Sequence, residues 1–224
     1  MLSQKPMLYS YRRCPYAMRA RMALAYAGID YEIREISLRD KPKSMLSISP
    51  KGTVPVLWIP EIQEENLDQF ANKDSGRVIE QSLEIMQWAL TQNDPGDWWV
   101  SAPEFIRQDI LRWIEINDGP FKKILDIYKY SERHPELNQK ESFARALEIQ
   151  LLPMECALQK HRYLIGKKMS LADVALFPFV RQFYMVDPEQ FNQAPLNALQ
   201  QWLQGFLESS LFQSVMLKYD VWKD

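Results

Sequence analysis

Cysteine is almost missing from this chain. Only Cys14 and Cys156 occur in 224 residues, too few for a disulfide framework and without the spacing of metal ligands. Histidine is as scarce: His134 and His161 lie far apart with no Cys or carboxylate pattern nearby, which argues against a zinc site and leaves both as surface residues. No apolar run is long enough to span a bilayer, and the opening Met-Leu-Ser-Gln-Lys-Pro has no cleavable apolar segment. The expectation is therefore a cytoplasmic protein without a membrane partner. Neither sign of charge dominates. The 27 basic and 29 acidic residues leave a net charge of −2, which removes any overall drive toward nucleic acid. Hydrophobic residues make up 46% of the chain, ample for the cores of one large domain or two small ones.

The stretch Leu8-Tyr-Ser-Tyr-Arg-Arg-Cys-Pro-Tyr-Ala-Met-Arg-Ala-Arg-Met-Ala-Leu24 organises what is present. It reads as a buried strand, a sharp turn and the start of a helix, with Pro15 at the first helical position, where its missing N–H would have had no partner. Good helix formers follow, and Gly28 supplies the stop. Cys14 is thereby placed at a helix N-terminus, where unpaired backbone N–H groups and the helix dipole favour thiolate over thiol. Arg12, Arg13, Arg19 and Arg21 either add positive charge or point into water. Packing alone is a poor reason for Cys-Pro at a strand-to-helix turn, so the functional reading of Cys14 is preferred to that of a small buried hydrophobe.

Further along, residues 31–36 form a second short strand, and the strand-helix-strand order predicts a parallel crossover. A short helix over 42–48 is followed by Ser49-Pro-Lys-Gly-Thr-Val-Pro-Val-Leu-Trp-Ile59, a turn into a β-branched strand with Pro55 at its start. Residues 61–76 are polar and acidic before apolar character returns at Arg77-Val78-Ile79. Such a long connection reads as an inserted, solvated flap bearing Glu61, Glu64, Glu65 and Asp68. Gln81-Ser82 then opens an amphipathic helix to Leu90. The breaker cluster Asn93–Ser101, with Asp94-Pro95-Gly96-Asp97, marks the domain boundary.

Beyond about residue 103 only helical periodicity appears, over 103–118 with a continuation to about 131 left open, then 138–163, 170–185, 195–208 and 209–218. Gly119-Pro120 should kink or divide the first of these. Ser170-Leu-Ala-Asp173 is a capping-box start for the apolar run that follows, so Asp173 is structural rather than a catalytic acid. Trp113, Phe121, Tyr128, Phe177, Phe183 and Tyr184 are mostly core, with some left open to face a cleft above Cys14. Cys156 reads as an inert core thiol.

Cys14-Pro15-Tyr16-Ala17 after a hydrophobic strand resembles the active-site turn of thioredoxin-fold proteins. Specifically, it is similar to that of the cytosolic glutathione transferases of the cysteine type, omega-like and close to two-domain glutaredoxins. Thr53-Val-Pro-Val-Leu57 resembles the segment in which that fold carries a cis proline. Gln81-Ser82 resembles the family's acidic-or-amide residue followed by serine. The likeness covers essentially the whole chain. It implies a thioredoxin-like α/β domain over 1–92, a linker over 93–102 and an all-helical domain over 103–224.

From the resemblance Cys14 is the nucleophile and glutathione the co-substrate, with no metal. Tyr16, Val54, Pro55, Gln81 and Ser82 would hold the tripeptide, Val54 by strand-like backbone pairing and Ser82 at a helix N-terminus. Lys51 is a weaker candidate for its glycyl carboxylate. The family's dithiol members carry a second cysteine three residues after the first, where this chain has Ala17. Redox chemistry would therefore be monothiol, on a disulfide or small hydrophobic co-substrate. Conjugation of electrophiles through a hydroxyl at Tyr9, Ser10 or Tyr11 stays open, as do a homodimer and a non-enzymatic binding role.

Overall fold

The computed structural model describes residues 5–61, 76–134 and 138–224. The acidic stretch expected to form a flap lies almost wholly outside them. The chain divides into two compact units, Met1–Asn93 with Ser214–Asp224, and Asp94–Gln213. Residues 214–224 therefore fold with the first unit, although sequence alone placed them in the helical domain.

In the first unit, β1 (Met7–Ser10), α1 (Pro15–Tyr26), β2 (Glu32–Glu35), α2 (Lys43–Ile48), β3 (Val56–Pro60), β4 (Gly76–Ile79) and α3 (Ser82–Gln92) follow in order. The sheet order is β2-β1-β3-β4. β1 pairs parallel with β2, with Leu8 opposite Ile33, and antiparallel with β3, with Leu8 opposite Leu57. β3 and β4 are antiparallel, with Leu57 opposite Ile79. At the end of that pair Gly76 is obligatory: a Cβ there would sit 2.3 Å from the Trp58 indole nitrogen and 2.8 Å from the Ile59 carbonyl.

α1 ends as its sequence predicts. Gly28 has φ +69°, and the bonds Gly28 N–H to Ala25 C=O and Ile29 N–H to Leu24 C=O close a Schellman motif. One face of the sheet packs Tyr9, Ile36, Met45 and Val56 into a core that Trp222 also covers.

The second unit is helical: α4 (Glu104–Ile116), α5 (Lys122–Lys129), α6 (Gln139–Ala146), α7 (Leu152–Lys160), α8 (Leu171–Tyr184), α9 (Pro188–Gln193) and α10 (Asn197–Glu208). α11 (Ser210–Val215) ends beyond its limit. As expected, the first helix divides at Gly119-Pro120: α4 and α5 are joined by a π-helical turn over Asn117–Phe121, which accommodates the missing proline N–H. A second such turn, Leu147–Leu151, divides the helix expected over 138–163. The short helix α9 has no counterpart in the sequence reading.

α8 is the centre of this unit, with Leu171 to Val180 buried throughout. Asp173 accepts bonds from the N–H groups of Leu164 and Ser170, the Ser170 hydroxyl and the Trp202 indole, all at 2.7–3.0 Å. Around it Phe121, Tyr128, Phe177 and Phe183 are buried, and Tyr128 stacks on Phe183 at 4.5 Å. Trp113 and Tyr184 are half-buried. Cys156, expected in the core, is exposed; on α7 it faces away from Met154 and Leu158, which carry the packing. His161 is exposed and His134 half-buried. Among the described residues no helix is long and apolar enough to cross a membrane, and no group of three or more His, Cys, Asp or Glu is placed to hold a metal.

Candidate active site

Cys14 is the N-cap of α1, with extended backbone, followed by Pro15 at the first helical position. Its N–H donates to the Tyr11 carbonyl at 2.9 Å, and its own carbonyl receives the Met18 N–H at 2.9 Å, the first turn of the helix. The half-buried thiol donates to the Val54 carbonyl at 3.7 Å. The Val54-Pro55 peptide is cis. Two of the residues singled out in the sequence are thus in contact, and Pro55 is buried.

Ser82 begins α3 and Gln81 is its exposed N-cap. Ser82 is not a cap: its hydroxyl is buried and accepts a bond from Arg19 Nε at 3.0 Å. Arg19 lies on α1 five positions after Cys14, about 7–8 Å along the helix axis, so it ties the start of α3 to the helix that carries the thiol. Its guanidinium also sits over the Tyr16 ring, 5.1 Å from the centroid. Lys51 is in an ion pair at 3.1 Å with Glu80, the residue just before Gln81. The Ser49 hydroxyl and Lys51 hold the Glu80 carboxyl below the ordinary carboxylate value.

The alternative hydroxyls are engaged elsewhere. Ser10 is fully buried and accepts from Arg21 at 2.5 Å. Tyr9 is 1% exposed, donates to Ser44 at 2.8 Å and accepts from Arg34 at 2.9 Å. Tyr11 accepts from Arg13. Of the arginines left open between charge and solvent, Arg13 is exposed and Arg12 half-buried, whereas Arg19 and Arg21 are 2% and 1% exposed. A signal for this was present: α1 has no polar stripe apart from those two residues, and a helix apolar all round is buried all round.

Two family models match, one described as the glutathione S-transferase N-terminal domain over residues 13–92 and the other as its C-terminal domain over residues 117–210. This chain belongs to the glutathione S-transferase family. Among curated relatives of the transferase, a probable maleylacetoacetate isomerase of Caenorhabditis elegans is 28% identical over 190 residues, spanning 80% of this chain and 79% of that protein. Glutathione S-transferase omega-1 of Rattus norvegicus is 46% identical over 50 residues, covering 22% of this chain and 21% of its own. The fold is shared with a glutathione transferase family member from Pseudomonas fluorescens solved with two glutathione bound, at TM-score 0.75 and 17% identity over 96% of this chain and 94% of that one.

Proposed function

We propose that this transferase is a glutathione-dependent enzyme in which Cys14 is the nucleophile of thiol transfer. The observation that carries the reading is the contact of the Cys14 thiol, at a helix N-terminus, with the Val54 carbonyl beside cis-Pro55. In support, two of the three hydroxyls that conjugation could use, Ser10 and Tyr9, are buried and hydrogen-bonded, and the third, half-buried Tyr11, accepts from Arg13.

The residues suit the tripeptide. The Val54 backbone offers strand-like pairing beside the thiol, and the α3 N-terminus at Ser82, backed by the Arg19 cation, suits a carboxylate. Gln81 is exposed at the same helix start, and the Tyr16 ring lies under the Arg19 guanidinium. Lys51 is the weaker contributor because Glu80 already pairs with it.

In the reaction, the Cys14 thiolate attacks the glutathione sulfur of a mixed disulfide. The S–S bond breaks, and the other thiol leaves as thiolate and takes a proton from water. With Ala17 in place of a second cysteine, a second glutathione thiolate attacks the Cys14 disulfide, forming glutathione disulfide and returning the Cys14 thiolate. This chemistry fits a reducing cytoplasmic setting. A homodimer of the kind common in the family belongs to the same reading.

A second reading has one observation in its favour: relatives matched along most of their length bear the name maleylacetoacetate isomerase. Isomerisation would require a thiol that adds to and leaves a double bond with no net oxidation. Assays of the wild type and Cys14→Ser with a mixed disulfide, an aromatic electrophile and a cis-enone dicarboxylate separate the readings. Loss of disulfide exchange alone in Cys14→Ser supports thiol transfer. A wild type that turns over only the dicarboxylate overturns it.

A further inference from the structure

Arg21 is the more unusual of the two buried arginines. Its Nη1 donates to the Ser10 hydroxyl at 2.5 Å and the Tyr11 carbonyl at 3.4 Å, and its Nη2 to the Arg12 carbonyl at 2.8 Å and the Met216 sulfur at 3.9 Å. Nε donates to the Val215 carbonyl at 3.1 Å. Glu35, 8% exposed at the end of β2, accepts the Arg12 N–H at 2.6 Å. The residue two before Cys14 therefore has its N–H held by a carboxylate and its C=O by a guanidinium, and Tyr11, caught by the same guanidinium, receives the Cys14 N–H.

These two residues also hold the segment Ser214–Asp224. Arg21 binds its start at Val215 and Met216, and the Glu35 backbone carbonyl accepts the Trp222 N–H at 2.7 Å, with Glu35 and Val221 forming a parallel bridge. Two further contacts fasten the end. The Trp222 ring lies under the Arg34 guanidinium at 4.0 Å, and the Asp224 carboxylate accepts the Ser44 N–H at 3.1 Å and the Ser44 hydroxyl.

Packing does not require a charge at position 21, since its neighbours on α1, Ala17, Ala20, Ala23 and Leu24, are buried and apolar. Burying a cation costs free energy unless its donors are met. A guanidinium presents five donors in a rigid fork, whereas an ammonium presents three at one point. Here the fork is spread over the turn on one side and the segment on the other.

We propose that Arg21 and Glu35 are positioning residues for the Cys14 thiol, and that the segment Ser214–Asp224 is the third part of the same device, so that loosening the segment disturbs the thiol. The inference rests on Cys14 being the reactive thiol. Burial draws the Arg21 guanidinium below its ordinary value, and the groups around it are Tyr31, Glu35, Cys14 and Tyr219. Tyr31, pushed up to about 12 chiefly by burial, stays neutral. Glu35 is itself pushed up by burial, against the pull of the Arg12 N–H, Arg21 and Arg12.

The test measures the alkylation rate of Cys14 against pH in the full chain, by intact mass, for wild type, Arg21→Lys, Trp222→Pro and Ser44→Ala, with thermal melting as the control for folding. Trp222→Pro removes the N–H given to Glu35, and Ser44→Ala removes the hydroxyl given to Asp224 together with the acceptor of the Tyr9 hydroxyl. The expected result is a slower alkylation at neutral pH, about tenfold in Arg21→Lys, through an upward shift of the titration midpoint with the limiting rate at high pH unchanged. Smaller shifts of the same sign are expected in the other two. Arg21→Lys should also lower kcat for mixed-disulfide exchange more than it raises KM. Ser44→Ala should fold in any event; an unchanged midpoint in it and in every other variant that folds overturns the inference. If the wild type exchanges no disulfide while the midpoints still shift, the proposed function fails and the positioning role stands.

Discussion

The thiol of Cys14 gives its hydrogen bond to the carbonyl of Val54, 40 residues away in the chain and beside the cis peptide. That carbonyl is the group expected to pair with an incoming tripeptide. The bond favours the protonated thiol, and ionisation of Cys14 would remove the donor and free the carbonyl.

The helix N-terminus works against that bond by favouring the thiolate, and in the proposed mechanism Cys14 should alkylate at neutral pH at least about tenfold faster than Cys156. Cys156 is a fair internal standard because it is exposed within α7, whereas Cys14 is half-buried. Peptide mapping after brief treatment with iodoacetamide measures the ratio. Equal rates would contradict an activated Cys14.

Ser82→Ala should act twice. The hydroxyl is the acceptor for the buried Arg19 Nε, and removing it should lower stability by roughly 1–3 kcal/mol, the cost of leaving a buried charged donor short of a partner. Glutathione affinity should fall by a similar amount if the α3 start receives a carboxylate. Calorimetric melting and titration separate the two effects. A variant that melts lower and binds normally would remove Ser82 from the binding site.

Asp173 supplies the pH-dependent prediction. Burial pushes its carboxyl up, against the pull of bonds from Leu164, Ser170 and Trp202. A carboxyl with a raised folded value holds its proton longer folded than unfolded, so its contribution to stability falls as pH rises through the window from the unfolded value, about 3.9, to the folded one. Asp173→Asn should remove that slope from the dependence of unfolding free energy on pH. Asp173→Ala, which strands buried donors, should cost about 3–5 kcal/mol at neutral pH. A loss under about 1 kcal/mol would mean that the bonds around α8 contribute little.

The parts of the site that were legible in the sequence are those written in short stretches of chain. Cys-Pro after a strand fixes a helix start, Ser170 with Asp173 three residues later is a local box, and Gly28 marks a local stop. The unread parts depend on distant residues. Nothing near Arg21 announces Val215, and arginine is so seldom buried that solvent stayed a fair alternative. Cys156 misled for the opposite reason, since unpaired cysteines are usually buried. The segment 214–224 carries little periodicity beyond α11, and its place is set by Arg21, the bridge to Glu35, the Arg34 guanidinium over Trp222 and the Asp224 bonds to Ser44, none of which leaves a pattern in the segment itself.

Intact-mass analysis of the enzyme during turnover of a glutathione mixed disulfide, for wild type and Cys14→Ser side by side, tests the central claim most directly. Thiol transfer through Cys14 predicts wild type carrying one glutathione, mapped to Cys14 and released by added glutathione, and a Cys14→Ser variant that carries none and no longer exchanges disulfides. A wild type never modified at Cys14, together with a variant that keeps full exchange activity, would contradict it.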